Sequence, residues 1–310
     1  MNNDRTEFRL FSPLQRRVEH IGTTYLFESA SQRIDFTRPI GAPAFLEPDS
    51  VSWNVFKNPL SLFIGGVAAV ILELAEPKVG TAVWRHTGFK EHPLRRLRNT
   101  GLAAMATVYA AESQARNLIQ RINTMHSRVS GVTAEGLAYR ADDPRLLDWV
   151  YATASFGFIQ AHHVYARQLS SEDCDRYYRE STLAAHLYGA YGAPKSRRQL
   201  DDLFAFTAPT LVPSSAMFEF LKIMSSRPLL PAQLHRLQPM LVRAAIDIIP
   251  DDLRIRLRLD HTQCLRPWER AFLRRAGGFA DRLVLAGMPP VLACQRMGLP
   301  DHYLYRSQKA

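Results

Sequence analysis

The stretch from Phe63 to Ala75 is thirteen residues long and apolar throughout except for Gly65, Gly66 and Glu73, and Pro77 follows two residues later. Crossing a bilayer takes about twenty apolar residues, so this run is too short to span and reads as a helix inside a protein core. A helix that is apolar all round has no face to give to water. Other elements must therefore enclose it, and Pro77 marks where it ends.

The signals elsewhere are also helical. Pro93 can open a helix through Arg96 and Thr100 towards Tyr109, with a break near Ala111-Glu112-Ser113. Asp143 is a good N-cap with Pro144 in the first turn, which predicts a helix through Trp149, Phe156 and Tyr165. Ser170 or Ser171, followed by acidic residues, caps a helix through Tyr177-Tyr178 to His186. Gly189 to Pro194 reads as a turn, Arg197 to Phe206 as a short helix, and Pro209 to Pro213 as a break. Ser214 to Met224 is then helical, and Pro228 and Pro231 introduce a helical region reaching Leu285. The segment from Ser130 to Asp143 reads as a loop, and no strand alternation of useful length appears. The expectation is an all-α fold with one large helical domain over residues 59–290. An irregular arm broken by Pro39, Pro43 and Pro48 is expected over residues 1–58, and a tail over 291–310.

Sixteen Phe and eleven Tyr in 310 residues exclude a disordered chain. Cys174, Cys264 and Cys294 are far apart and form no CxxC pair, which argues against a disulfide scaffold or a zinc site. The first residues have early acidic groups and no apolar core, unlike a secretory signal. Together these predict a cytoplasmic protein. The net charge of +10 is spread through Arg16-Arg17, Arg95 to Arg98, Arg197-Arg198, Arg254 to Arg258 and Arg274-Arg275. With no nucleic-acid motif beside it, such dispersal reads as solvated helix faces. HExxH, ExxH pairs, GxSxG, P-loop and GxGxxG motifs are all missing. Asp142-Asp143 and Asp201-Asp202 read as helix caps.

His126 is the candidate ligand. Leu118, Ile119, Ile122, Met125 and Val129 recur at helical spacing, and His126 falls within that apolar stripe. An imidazole facing a core needs a partner for its nitrogens. Either a backbone carbonyl or a haem iron would serve, and periodicity leaves both open. His162 and His163 point about a hundred degrees apart on one helix, so they cannot share a metal, and they read as partly exposed.

The order of several segments carries more. It runs from the apolar stretch Phe63–Pro77 through Trp84-Arg85-His86-Thr87-Gly88-Phe89, Pro93 and Arg96-Leu97-Arg98-Asn99-Thr100. It continues with Met125-His126-Ser127-Arg128-Val129-Ser130-Gly131, Tyr139, and Asp143-Pro144-Arg145-Leu146-Leu147-Asp148-Trp149-Val150-Tyr151-Ala152-Thr153. This ordered set resembles the rubber oxygenase (latex clearing protein) and MpaB-like oxygenase family over roughly residues 63–206, more weakly towards 290.

The resemblance implies an all-helical haem-b enzyme with its haem pocket buried between helices. Such an enzyme cleaves a carbon–carbon double bond of an isoprenoid or other hydrophobic substrate with dioxygen. It implies His126 as the axial iron ligand, with Arg96, Asn99 and Thr100 shaping the opposite, catalytic side. His86 and Tyr151 would lie at the cofactor or the pocket wall. Phe63, Ile64, Val67, Val70, Ile122, Val129, Phe156 and Phe158 would form apolar walls. The rubber oxygenases have lysine where this chain has Asn99, and that lysine can occupy the distal side of the iron. Many MpaB-like sequences have histidine where Tyr151 stands. These departures put rubber itself in doubt as substrate. They leave room for a non-cleaving haem enzyme (a hydroxylase, peroxidase or tailoring enzyme), or for a helical protein that binds a hydrophobic ligand without cofactor.

Overall fold

The computed structural model describes residues 34–260 and 263–305, and helices dominate them. The apolar run forms α2, Pro59–Ala75, which starts earlier than its most apolar stretch because Asn58 caps it. The Asn58 Oδ1 accepts from the backbone N–H groups of Leu60 and Ser61 at 3.1 and 3.2 Å, satisfying first-turn donors that otherwise have no partner. The short helix α1, Val51–Phe56, precedes it. Pro77 both ends α2 and opens α3, Pro77–His86, which turns away at 111°. Glu76 caps α3 by accepting from the Val79 N–H at 2.7 Å. Trp84 and His86 sit on this helix.

Helix α4 spans Pro93–Tyr109 and α5 spans Glu112–His126, with the break where it was expected. The segment after α5 holds a small hairpin that the sequence reading missed, β1 Ser130–Val132 paired antiparallel with β2 Ala138–Arg140. Strands of three residues are too short to show alternation, and Gly136 at φ 83° supplies the left-handed residue the turn needs. Asp143 and Pro144 then open α6, Pro144–Tyr165. Ser170 and Asp173 close a capping box on α7, Ser171–Glu180, followed by α8, Thr182–Leu187. Helix α9, Arg197–Thr207, contains Asp201 and Asp202 in its body; Asp201 pairs with Arg197 instead of capping. The remaining helices are α10 Ser215–Ser226, α11 Gln238–Asp247, α12 Asp251–Arg256, α13 Pro267–Ala280 and α14 Pro289–Arg296.

The core is organised by α2 against α6, with α1, α3, α10, α11 and α13 around the rest of α2. The pair is antiparallel: Gly65 meets Gly157 at one level, and the Trp149 Nε1 donates to the Leu72 carbonyl at another, 3.3 Å away. A Cβ on Gly65 would lie 2.5 Å from the Gly157 carbonyl oxygen, and one on Gly157 would lie 2.2 Å from that of Gly65. Only hydrogen at both positions lets the backbones approach this closely.

Two buried polar clusters lock the periphery. His162, expected to be partly exposed, is fully buried, with Nε2 3.5 Å from Asp281 Oδ1. Burial disfavours the Asp281 carboxylate, but His162, Lys57 and Asn58 together hold its pKa down to about 2. Arg296 of α14 is 1% exposed. Its guanidinium donates to the carbonyls of Ala42, Phe36 and Tyr109 at 2.9, 2.9 and 2.8 Å. The segment from residue 291 thus begins inside a packed helix, and the described part of the N-terminal arm is bound to it. Arg16 and Arg17, residues 1–33 of the arm and residues 306–310 of the tail lie outside the described residues. No single helix among the described residues is long and apolar enough to cross a membrane.

Substituting Gly157 by valine is expected to lower the free energy of unfolding by about 3 kcal/mol or more in urea titrations, because rigid backbone blocks the new side chain. Gly101 of α4 has nothing within 4 Å of where a Cβ would stand, so Gly101→Ala is expected to stabilise by about 0.5–1 kcal/mol.

Candidate active site

Arg96 of α4 lies within electrostatic reach of two ionisable side chains from other helices, Glu73 of α2 and His126 of α5. Glu73 is the one the sequence reading passed over. Most of α2 is buried, and its partly accessible residues Phe63, Gly66, Val70 and Glu73 recur at helical spacing on one face. On α6 the partly accessible Tyr151, Ala154 and Phe158 form a similar row. A Cβ on Gly66 would stand 3.9 Å from the Phe158 ring, so the two rows meet. An apolar cleft therefore runs along the α2–α6 pair, and the Glu73 carboxyl stands near the C-terminal end of α2.

Burial raises the Glu73 pKa to about 7, and the positive charge of Arg96 offsets only part of that rise. Burial likewise lowers the pKa of Arg96 from its ordinary value, against the pull of Glu73. Among the described residues the two close no direct ion pair, so each keeps polar capacity for a ligand. For His126, burial lowers the pKa first, the Arg96 charge lowers it further, and Asp142 opposes both. Asp142 is itself fixed by a bidentate pair with Arg140 at 2.9 and 2.8 Å. The imidazole is neutral at pH 7, with a lone pair available to a metal.

His126 is the last residue of α5 and is half-buried, not enclosed as its stripe suggested. The stripe buries only Leu118 and Ile119; Met125 is 56% exposed. The helix runs past the edge of the core at that point, and the His126 carbonyl accepts from the Val129 N–H as the chain turns into the hairpin. The last turn is pinned where Asn123 Nδ2 donates to the Leu187 carbonyl at 2.7 Å.

The other candidates fall in different places. Asn99 is half-buried on α4, one turn beyond Arg96. Thr100 is exposed, and its hydroxyl donates to the Arg96 carbonyl at 2.9 Å, so it faces its own helix. His86 is exposed, with Nε2 3.1 Å from the Tyr139 hydroxyl of the hairpin. Tyr151 donates its hydroxyl to the Ser181 carbonyl at 2.9 Å and packs near Tyr188, whose hydroxyl meets Thr107. Tyr151 thus borders the cleft with its polar end already engaged. Of the proposed walls, Phe63, Val70, Ile122, Val129 and Phe158 keep accessible surface, whereas Ile64, Val67 and Phe156 are core. Among the described residues no three His, Cys, Asp or Glu side chains converge as a metal site. A haem differs from such a site in needing a single protein donor.

Comparison with known proteins gives one family. The sequence model described as "ER-bound oxygenase mpaB/B'/Rubber oxygenase, catalytic domain" matches residues 53–301. An uncharacterised protein of Mycobacterium bovis and one of Mycobacterium tuberculosis are each 25% identical over 227 residues, covering 70% of this chain and 88% of theirs. No solved structure matches significantly.

The Glu73 shift has a consequence for stability. Its folded value lies above the ordinary 4.5, so the folded protein holds the extra proton between about pH 4.5 and 7, and stability falls as pH rises through that window. His126 acts oppositely, adding stability as pH rises towards its ordinary 6.5. Glu73→Gln is expected to remove the fall between about pH 4.5 and 7 and to be more stable than wild type at about pH 8. Parallel wild-type and variant profiles of urea midpoint against pH would contradict this assignment.

Proposed function

Because the chain belongs to the family of ER-bound mpaB and rubber oxygenase catalytic domains, we propose that it is a haem-b-dependent oxygenase acting on an isoprenoid or other unsaturated hydrophobic substrate. The observation that carries this reading is that Arg96 acts electrostatically on both Glu73 and His126, beside the partly accessible apolar rows of α2 and α6. These residues fit a haem. His126 offers an uncharged imidazole whose ring makes no hydrogen bond to a described residue. Arg96 offers a cation that no carboxylate among the described residues contacts directly, suited to a propionate.

His126 would hold the haem iron. When bound, haem iron supplies the activation of dioxygen, chemistry that protein side chains lack. The chain's own residues would do the rest. Phe63 and Val70 of α2, with Ala154 and Phe158 of α6, would hold an alkene chain by apolar contact and keep water from it. Arg96 and Asn99 would face negative charge developing on oxygen. Glu73, with a pKa of about 7, would hold or release a proton at its carboxyl oxygen at neutral pH. Cleavage of the double bond would place one oxygen atom of dioxygen in each of two carbonyl products.

Purified or haem-reconstituted protein is expected to show a Soret band at one haem per chain, lost in His126→Ala. Failure of wild-type protein to take up haem ends this reading at its first step. With haem bound, dioxygen uptake on an isoprenoid alkene is expected to yield carbonyl fragments. Glu73→Gln is expected to slow that uptake by roughly 10²-fold or more while leaving the Soret band in place. Undiminished turnover in that variant would remove Glu73 from the chemistry.

A further inference from the structure

Helix α13 has two faces of different use. Glu269, Leu273 and Gly277 recur every four residues and are buried, packed on α6 and α2. A Cβ on Gly277 would lie 2.0 Å from the Tyr165 carbonyl oxygen, so the helix lies flush against its support. Trp268 and Phe272 occupy another row, four residues apart, and they are 59% and 42% exposed. By helical spacing Arg275 stands in the same row. A tryptophan more than half exposed beside phenylalanine on a rigid helix is apolar surface that the fold itself does not need.

The charges around this row are one-sided. The carboxylates nearby are already engaged: Glu269 by Arg243, Asp247 by Arg270 and Asp281 by Lys57. Arg274, Arg275 and Arg282 are exposed, and no carboxylate among the described residues forms an ion pair with them. Phosphate oxygens suit guanidinium groups, and an indole is at home at the depth of lipid headgroups. A second copy of this chain fits less well, because a two-fold contact through α13 would bring the same arginines together.

We propose that α13 is a membrane-docking helix that lays its aromatic row into the headgroup region of a bilayer bearing anionic lipid. The attachment is peripheral and independent of the oxygenase reading. Full-length protein mixed with vesicles of phosphatidylcholine plus about 30% phosphatidylserine is expected to co-sediment, progressively less as salt rises. Phosphatidylcholine vesicles alone are expected to leave it in solution. Trp53 and Trp149 are buried and Trp84 is half-buried against Phe89, while Trp268 is the most exposed of the four, so a blue shift of tryptophan emission on binding is expected to come mainly from Trp268. Trp268→Phe should keep the binding and lose most of the shift. Trp268→Ala combined with Phe272→Ala should weaken partitioning at least tenfold, and Arg274→Ala and Arg275→Ala about fivefold each, with circular dichroism unchanged. Three results would overturn the proposal. They are equal binding to neutral vesicles, variants that sediment like wild type, and a wild-type dimer that Trp268→Ala converts to monomer.

Discussion

The backbone contact between Gly65 and Gly157 is the constraint from which the rest of the arrangement follows. An apolar helix with no solvent face needs a partner that can come close, and two glycines at one level allow it. The crossing fixes α2 and α6 as an antiparallel pair, with Trp149 bonded to the backbone near the end of α2. Around this rigid pair the remaining helices cover most of α2, leaving one row partly accessible. The cleft is therefore set by how tightly two backbones meet as much as by the side chains that line it.

Into that apolar setting the chain brings few charges, and each alters the next. Burial raises the Glu73 pKa to about 7 against the pull of Arg96, and burial together with the same guanidinium lowers that of His126. Interactions of this kind are strong because little water is present to screen them. Membership of an oxygenase family gives the arrangement a purpose, while Asn99 and Tyr151 set this chain apart within the pattern it resembles. Tyr151 in particular is committed to Ser181, so its side chain braces α6 against the α7–α8 junction.

The sequence exposed the frame better than the site. Proline and cap residues act within a few positions of themselves, so Pro93, Asp143-Pro144 and Ser170 marked helix starts that the structure reproduces. Where an outcome depended on distant partners, the reading fell short. Glu73 looked like a flaw in an oily helix, since nothing local announces Arg96 nearby. His162 looked half-exposed because Asp281 lies far along the chain, and His126 looked enclosed because periodicity does not reveal where a helix leaves the core. The three-residue strands of the hairpin lie below the length at which alternation can be seen.

The Arg296 clamp bears on the order in which the molecule can be completed. Its guanidinium joins Phe36 across a separation of 260 residues and Ala42 across 254. During synthesis the start of the chain emerges long before the arginine that fixes it. Contacts of such long range carry a loop-closure cost and form late. The arm can meet α5 earlier, where Gln114 donates to the Asp35 and Arg38 carbonyls, but its Arg296 contacts must wait for the last helix. Closure of the N-terminal arm is in effect a signal that the last helix has been made and docked.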